Sequence, residues 1–186
     1  MSRNSVSLAA PSQEDEVIQA FKGAMRRFAV SVSIITIANG AAKAGMTATA
    51  VSSMSMSPPS LLVCINRSAR MHAEMHVGRA FCVNILNTDQ AAVSSAFGGR
   101  LPAEERFSEG AWSASSVGVP YLSNAQVNVF CTVDATFDYG SHTIFIGKVE
   151  SVRLNGKCRP LVYADGKYVS IADIESTENV PDLIWL

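Results

Sequence analysis

Charge is scarce in this chain. Asp, Glu, Lys and Arg make up only 17% of its 186 residues, and 15 Lys and Arg stand against 16 Asp and Glu. No Lys/Arg-rich run occurs. A protein whose main partner is a phosphate backbone shows a basic patch, so nucleic acid is not an expected partner. Long apolar runs are missing as well. Phe28–Asn39 is uncharged but short, and Ala44–Ile65 carries many Ser and Thr and two prolines. A membrane-spanning helix needs about 20 mostly apolar residues, so no membrane association is expected. Met1–Gln13 holds one arginine and no apolar core, so no secretory signal is expected either. The four cysteines, Cys64, Cys82, Cys131 and Cys158, form no CxxC pair, and no histidine stands at metal-ligand spacing beside them. The first three lie inside apolar runs and read as free thiols of a reducing, cytoplasmic setting. No Ser-His-Asp order, P-loop, GxGxxG or HExxH is present, so a bound dinucleotide would have no Rossmann fingerprint to hold it.

What the chain has is apolar bulk. Hydrophobic residues make up 48%. That composition excludes disorder over most of the length, and the length suits one domain. So little charge leaves few residues to coat a lone barrel or bundle, which favours an oligomer that buries an apolar face. Residues 1–11, polar and closed by Pro11, read as a disordered lead-in, and residues 12–186 as one domain.

Ser12 stands three residues before Asp15, a near capping box. Val17, Phe21, Met25 and Phe28 follow on one helical stripe. Val32–Ala38 is β-branched and reads as a strand ended by Asn39-Gly40. Lys43–Ser53 reads as a second strand, Leu61–Ile65 as a third and Ala80–Leu86 as a fourth. Between the last two, Arg67–Gly78 reads as a short helix with Gly78 as C-cap. Asp89–Phe97 reads as another short helix, stopped by Gly98-Gly99. Residues 100–118 read as a long surface loop anchored by Trp112. Gln126–Phe137 and Thr143–Arg153 read as a long hairpin, and Pro160–Tyr163 with Tyr168–Ile171 as a short one turned at Asp165-Gly166. Many strands and few helices predict a mainly β fold with peripheral α, an antiparallel barrel.

Three stretches are candidates for chemistry. Gly45–Ser53 alternates small residues and hydroxyls along a strand, which lets a flat ligand approach the backbone. The plain alternative is a Thr/Ser-rich edge strand facing water. Asn66–His72 follows a strand and opens a helix, where free N–H groups bind phosphate and Arg67 and Arg70 add charge. The alternative is Ser68 as an ordinary N-cap with two solvated arginines. His142, beside Gly140 and Ser141 at a hairpin tip, is either an exposed structural residue or a polar contact able to donate a proton. His72 and His76 are four apart, but no third ligand accompanies them, and no metal is expected.

With these residues quoted, the sequence resembles a known family. Phe21–Ala29, Gly45–Ala48, Pro58–Ile65, Phe81–Leu86, Phe97–Arg100, Arg106-Phe107, Trp112, Gly118–Leu122, Gly140–Ile144, Pro160–Tyr163 and Gly166–Tyr168 occur in the order of the short-chain flavin reductases. These are the small components of two-component flavin-dependent monooxygenases. The resemblance spans about residues 17–171 and makes 12–186 a flavin reductase-like domain. It implies an FMN-binding split β-barrel of Greek-key order and a homodimer. It also implies an NAD(P)H-dependent flavin reductase, passing hydride from NADH or NADPH to FAD or FMN and supplying reduced flavin to an oxygenase component. A non-catalytic flavin store or sensor of the same fold is the alternative. A pyridoxamine-phosphate-type oxidase is disfavoured by the shortage of suitably placed Lys and Arg.

Carried over by position, the resemblance puts the flavin ring on Met46, Thr47, Ala48, Thr49, Ala50, Ser52 and Ser53. It puts the ribityl-phosphate side on Arg67, Ser68, Ala69 and His72, with a second phosphate-side contact at Gly99 and Arg100. It places His142 beside the nicotinamide, with Tyr168 as a further candidate there. Two positions depart from the family. Ser141 stands where Asp is common, which removes an expected partner of His142, and Val30-Ser31 stands where Thr-Gly is common. No essential general acid or base is implied, because the flavin itself carries the hydride chemistry.

Overall fold

The computed structural model describes residues 12–172; the expected lead-in, residues 1–11, lies outside them. The first helix, α1 (Gln13–Met25), starts as its sequence demands. The Ser12 hydroxyl accepts the Asp15 N–H at 3.2 Å, and the Asp15 carboxylate accepts the Ser12 N–H at 3.1 Å. That reciprocal bonding satisfies two donors left open at a helix start; the Ser12 hydroxyl, which also donates to the Asp15 carboxylate at 2.7 Å, and the Ser12 N–H together hold that carboxyl below its usual range. None of the helix's residues is buried, and its stripe of Val17, Phe21 and Met25 is left uncovered.

The body is one seven-stranded antiparallel sheet. Its strands are β2 (Ser33–Asn39), β3 (Ala42–Ala48), β4 (Val51–Met56), β5 (Pro59–Asn66), β6 (Ala80–Ile85), β9 (Val127–Tyr139) and β10 (His142–Leu154). They run in the order β3-β2-β6-β9-β10-β5-β4. The two outermost strands, β3 and β4, are consecutive in the chain and joined by Thr49-Ala50. The sheet therefore curls until its edges meet at that link, where the Cys64 N–H donates to the Ala50 carbonyl at 3.0 Å. The result is a split β-barrel. Shorter pairs complete the fold: β1 (Val30–Ser31) with β11 (Val162–Ala164) and β12 (Lys167–Val169), and β7 (Trp112–Ala114) with β8 (Pro120–Leu122).

Alternation sorts the side chains. Leu61, Val63 and Ile65 of β5 point inward, as do Thr143 and Phe145 of β10. They meet Ile35, Ile37, Phe81 and Val83 in the barrel core. The opposite face, through Ile34 of β2 and Val32 just before it, packs on Phe97, Leu86, Leu122 and Leu161. Ser33–Ile37 is buried on both faces, and its one threonine satisfies its hydroxyl by donating to the Pro120 carbonyl. Packing is tightest at Gly147, where a methyl group would overlap the Phe81 ring.

The second core is tied to the sheet by buried amides. Asn84 donates to the Ile34 carbonyl at 2.9 Å and to the Thr36 hydroxyl at 3.2 Å. Its oxygen accepts the Leu122 N–H at 2.8 Å and the Asn128 amide at 3.0 Å. Asn84, Thr36 and Asn128 are all wholly buried.

Several sequence expectations need correction. The single strand over Lys43–Ser53 is two, because the chain leaves one barrel edge at Ala48 and starts the other at Val51. The helix over Arg67–Gly78 is only a 3₁₀ segment, Arg70–Glu74, with Ala69 rather than Ser68 at its cap. Gly78 caps no helix; it donates to the Val133 carbonyl at 2.8 Å. The helix over Asp89–Phe97 is a chain of short turns, with α2 (Ala91–Ser95) at its centre. The loop over 100–118 contains β7, and Trp112 is an anchor there as expected, its ring centroid 5.1 Å from that of Phe97.

All four cysteines are free, with Cys82 and Cys131 buried. Burial raises both thiols, with Cys131 adding to the effect on Cys82. Cys131 reaches about 12, Glu150 adding to the burial. Unfolded thiols ionise near 9.0, so the unfolded chain loses these protons first as pH rises. The stability the neutral thiols contribute is complete below that value and is lost above it, at about 1.4 kcal/mol per pH unit for each thiol. Urea midpoints should therefore fall between pH 9 and pH 10, and less steeply in Cys131→Ala.

Candidate functional site

The small-residue strand β3 forms the wall of the site. Gly45 is buried against Phe97, and a Cβ there would lie 2.7 Å from the Phe97 ring. The Arg106 guanidinium donates to the Gly45 carbonyl at 3.0 Å and to the Leu101 carbonyl at 3.3 Å. Thr47 donates its hydroxyl to the Ser94 carbonyl at 2.6 Å, and the Ser94 hydroxyl meets the Tyr168 hydroxyl at 2.9 Å. The turn after α2 closes over this corner. A methyl on Gly98 would lie 3.8 Å from the Thr47 hydroxyl, and Gly99, with φ +116°, swings the chain to Arg100. Arg100 is exposed and faces Glu109 at 3.8 Å.

A cleft of about 620 Å³ opens in front of this wall. Gly45, Met46 and Thr47 line one side, Ala69 and Arg70 another, and Gly98 and Arg106 a third. The volume falls within the range of about 300–1,000 Å³ usual for small-ligand sites. A wall of Ala44 and Gly45 suits a flat ring, since neither carries bulk. Lys43, Arg70 and Arg106 outnumber Glu74 and Glu104 along the lining, which suits an anionic group. The donor set and the bare wall fit a flavin phosphate.

The strand–helix corner lies where β5 ends. Asn66 accepts the Ser68 N–H at 2.9 Å and the Ser68 hydroxyl at 2.8 Å. The Arg67 N–H donates to the Ser141 carbonyl at 2.9 Å, and His142 is the register partner of Asn66. The corner and the hairpin tip are thus one structural unit. Ser141, standing where the family commonly has Asp, meets His142 Nδ1 at 2.9 Å. His142 therefore keeps an orienting partner, a hydroxyl in place of a carboxylate. His72 Nε2 meets the Thr143 hydroxyl at 2.8 Å, and the His72 ring stands edge-on to Phe145 at 5.5 Å.

Of the expected residues, Met46, Thr47 and Ala69 line the cleft, and Gly99 and Arg100 continue from its Gly98 edge. Ala48 is buried at the end of β3. Thr49, Ala50, Ser52 and Ser53 are exposed along the barrel split, outside the lining. Arg67, Ser68, His72, His142 and Tyr168 also lie outside it, the first four around the corner and hairpin tip, the last behind Thr47. His76 is bonded to Arg79, and among the described residues no group of three or more ligands could hold a metal. Ser94, Arg106 and the pair Asp138–Thr143 were missed as site-forming residues. Arg106 and Thr143 carried a signal, their places in the Arg106-Phe107 and Gly140–Ile144 motifs; Ser94 and Asp138 carried none.

An antiparallel split barrel with a flat, cation-rimmed cleft defines a class of proteins that hold planar, phosphate-bearing ligands. Residues 25–172 match the model of the flavin reductase like domain. The chain is 44% identical over 152 residues to the reductase component of an FADH(2)-dependent resorcinol hydroxylase of a Rhizobium species, covering 81% of this chain and 85% of the relative. It is 37% identical over 173 residues to the FMN reductase (NADH) RutF 2 of Rhizobium rhizogenes, covering 92% and 100%. Among solved structures, nitrilotriacetate monooxygenase component B of Mycobacterium thermoresistibile superposes with a TM-score of 0.79 at 29% identity, covering 91% and 96%. Flavin reductase PheA2 superposes at 0.74 with 32% identity, covering 83% and 98%. The chain belongs to the flavin reductase like domain family.

Proposed function

We propose that this chain is an NADH:flavin oxidoreductase that reduces FMN or FAD and supplies the product to a partner monooxygenase. The observation that carries this reading is the cleft itself, where the bare β3 wall, Arg70 of the corner and the Gly98 turn converge. When bound, the flavin supplies the hydride-accepting ring. The chain's own residues hold and orient. Met46 and Thr47 would present backbone groups to the ring where β3 lines the cleft, and Ala48, Thr49, Ala50, Ser52 and Ser53 would continue that edge along the barrel split beyond the lining; donors there would stabilise negative charge on the reduced ring. Arg67, Ser68, Ala69, His72, Gly99 and Arg100 serve the phosphate side, with Arg70 as the charged group facing the cleft. His142, set by Ser141, orients the nicotinamide, and Tyr168 stiffens the Thr47 wall through Ser94. By holding the nicotinamide's hydride-bearing carbon close to the flavin's accepting nitrogen, these residues would do the rest, since a well-held pair reacts as one molecule.

The deciding assay is NADH consumption with and without added FMN or FAD, and with NADPH in parallel. Flavin-dependent consumption is expected, with NADH preferred. His142→Ala is expected to raise KM for NADH about tenfold with flavin affinity unchanged, the pattern of a lost docking contact. Full wild-type kinetics in that variant would remove His142 from the site. Flavin quenching without NADH consumption would make the protein a flavin store or sensor.

The reading extends to a homodimer within a cytoplasmic setting and to one domain over residues 12–186, of which 173–186 lie outside the described residues. The apolar stripe of α1 supports the dimer: Val17 and Phe21 are each 62% exposed and Met56 on the edge strand β4 is 64% exposed, and apolar area of that extent marks an interface. Sedimentation should give twice the 19.8 kDa chain mass, and Phe21→Glu should shift it toward one chain. Among the described residues no helix is long and apolar enough to cross a membrane.

A further inference from the structure

His72 is bound on the protein side, and that bond carries a role of its own. Thr143 is 3% exposed, and its hydroxyl donates to the Asp138 carboxylate at 2.5 Å. A threonine hydroxyl has one hydrogen. With it committed to Asp138, the same oxygen can only accept from His72, 2.8 Å away. His72 therefore carries a proton on Nε2. The three side chains come from three places: the 3₁₀ segment after β5, the start of β10 and the end of β9. His72 follows Ala69 and Arg70, which line the cleft, while Thr143 follows His142.

We infer that Asp138–Thr143–His72 is a positioning strut that sets the cleft-lining corner against the hairpin tip carrying His142. Resting on the reductase reading, it assigns Asp138 and Thr143 as positioning residues for flavin and nicotinamide together. A second tie, the Arg67 N–H to the Ser141 carbonyl, joins the same two pieces through backbone alone. The backbone tie fixes how far apart they are. The side-chain strut fixes how the 3₁₀ segment is rotated about that point, and so where Arg70 aims. A carboxylate acceptor makes the Thr143 bond a strong, directional one, which an ordinary neutral pair would not be. The carboxylate missing at position 141 has its counterpart three residues earlier, acting on the other histidine.

The test uses Thr143→Val, of nearly equal shape, with Thr143→Ser as the conservative rescue. Flavin Kd is read by fluorescence quenching without NADH, KM and kcat by NADH consumption, and the His72 Nε2–H by ¹⁵N-imidazole NMR. In Thr143→Val, Kd for FMN and KM for NADH are expected to rise together by about tenfold, with kcat within about threefold, as for lost ground-state positioning. The protected Nε2–H signal should vanish in Thr143→Val and return, with both constants, in Thr143→Ser. Thr143→Val with wild-type Kd and KM would overturn the strut, whatever the NMR shows. A Thr143→Ser protein that restores the signal but not the constants would overturn it as well. A wild type that binds FMN but consumes no NADH would overturn the reductase reading and leave the Kd and NMR arms to decide the strut.

Discussion

Asn84→Ala is expected to lower stability by about 3 kcal/mol. Asn84 is wholly buried; its amide donates twice, and its oxygen accepts from the Leu122 N–H, the Asn128 amide and the Cys82 thiol. Truncation leaves the Leu122 N–H without this acceptor, while the Thr36 hydroxyl keeps its bond to the Pro120 carbonyl. Each orphaned buried group costs about 1–3 kcal/mol, and no water can reach this depth without opening the sheet. The cavity left by the lost amide adds to the loss. Urea denaturation should show a lower midpoint with an unchanged slope, since the surface exposed on unfolding barely alters. Asn84→Asp should be no better: it keeps the oxygens but loses both donated bonds and buries a charge. Wild-type stability in either variant would show that β8 is held by its apolar contacts alone.

This network also explains why part of the fold was hidden in the sequence. Strand limits that depend on neighbouring residues were legible. The Ser12–Asp15 box, the Asn39-Gly40 turn and the Asp165-Gly166 turn, with Asp165 at φ +47°, all act within four residues. The helix expected over Arg67–Gly78 failed for a different reason. Its apolar spacing is real, because Met71 and Met75 are both buried. The segment is held as one short 3₁₀ turn whose His72 bonds to Thr143, a residue distant in the chain that local pattern does not show. The break at Thr49-Ala50 is set by barrel closure, which local pattern does not carry. β7 escaped notice because its partner, β8, supplies the pairing that its own three residues cannot.

The site divides along the same line. Met46 and Thr47 were legible because a strand of small residues and hydroxyls is unusual in itself. Ser94 was not, since a serine in an alanine-rich turn looks like surface until Thr47 and Tyr168 are seen on either side of it. Asp138 looked like an ordinary hairpin residue for the same reason, and Thr143 stood out only as part of the Gly140–Ile144 motif. Their significance lies in what the register brings beside them.

Gly45→Val joins the two levels and should abolish tight flavin binding. Even a Cβ at this position would lie 2.7 Å from Phe97 and 3.2 Å from the Ile35 carbonyl. The backbone carbonyl cannot yield, because β2 is paired on both sides. Phe97 cannot swing freely either, as its ring is wedged against Phe107 and Trp112 with centroids 5.1 Å away in each case. Strain must therefore move β3 outward or push the Phe97 turn, and both are walls of the cleft. Overpacking of this kind costs about 1–3 kcal/mol, so the protein should stay folded with a lowered Tm. Flavin affinity should fall by more than about tenfold, because the β3 wall and Gly98 move relative to Arg70 and a ligand held at several points loses them together. Gly23→Ala is the control: it adds a methyl on α1 where nothing lies within 4 Å, and it should raise Tm slightly through helix propensity, by about 0.5–1 kcal/mol. Flavin quenching in both variants separates the outcomes. A Gly45→Val protein that binds FMN as tightly as wild type would mean that β3 is not the flavin wall, and the ring would have to be sought along the split between Thr49 and Ser53.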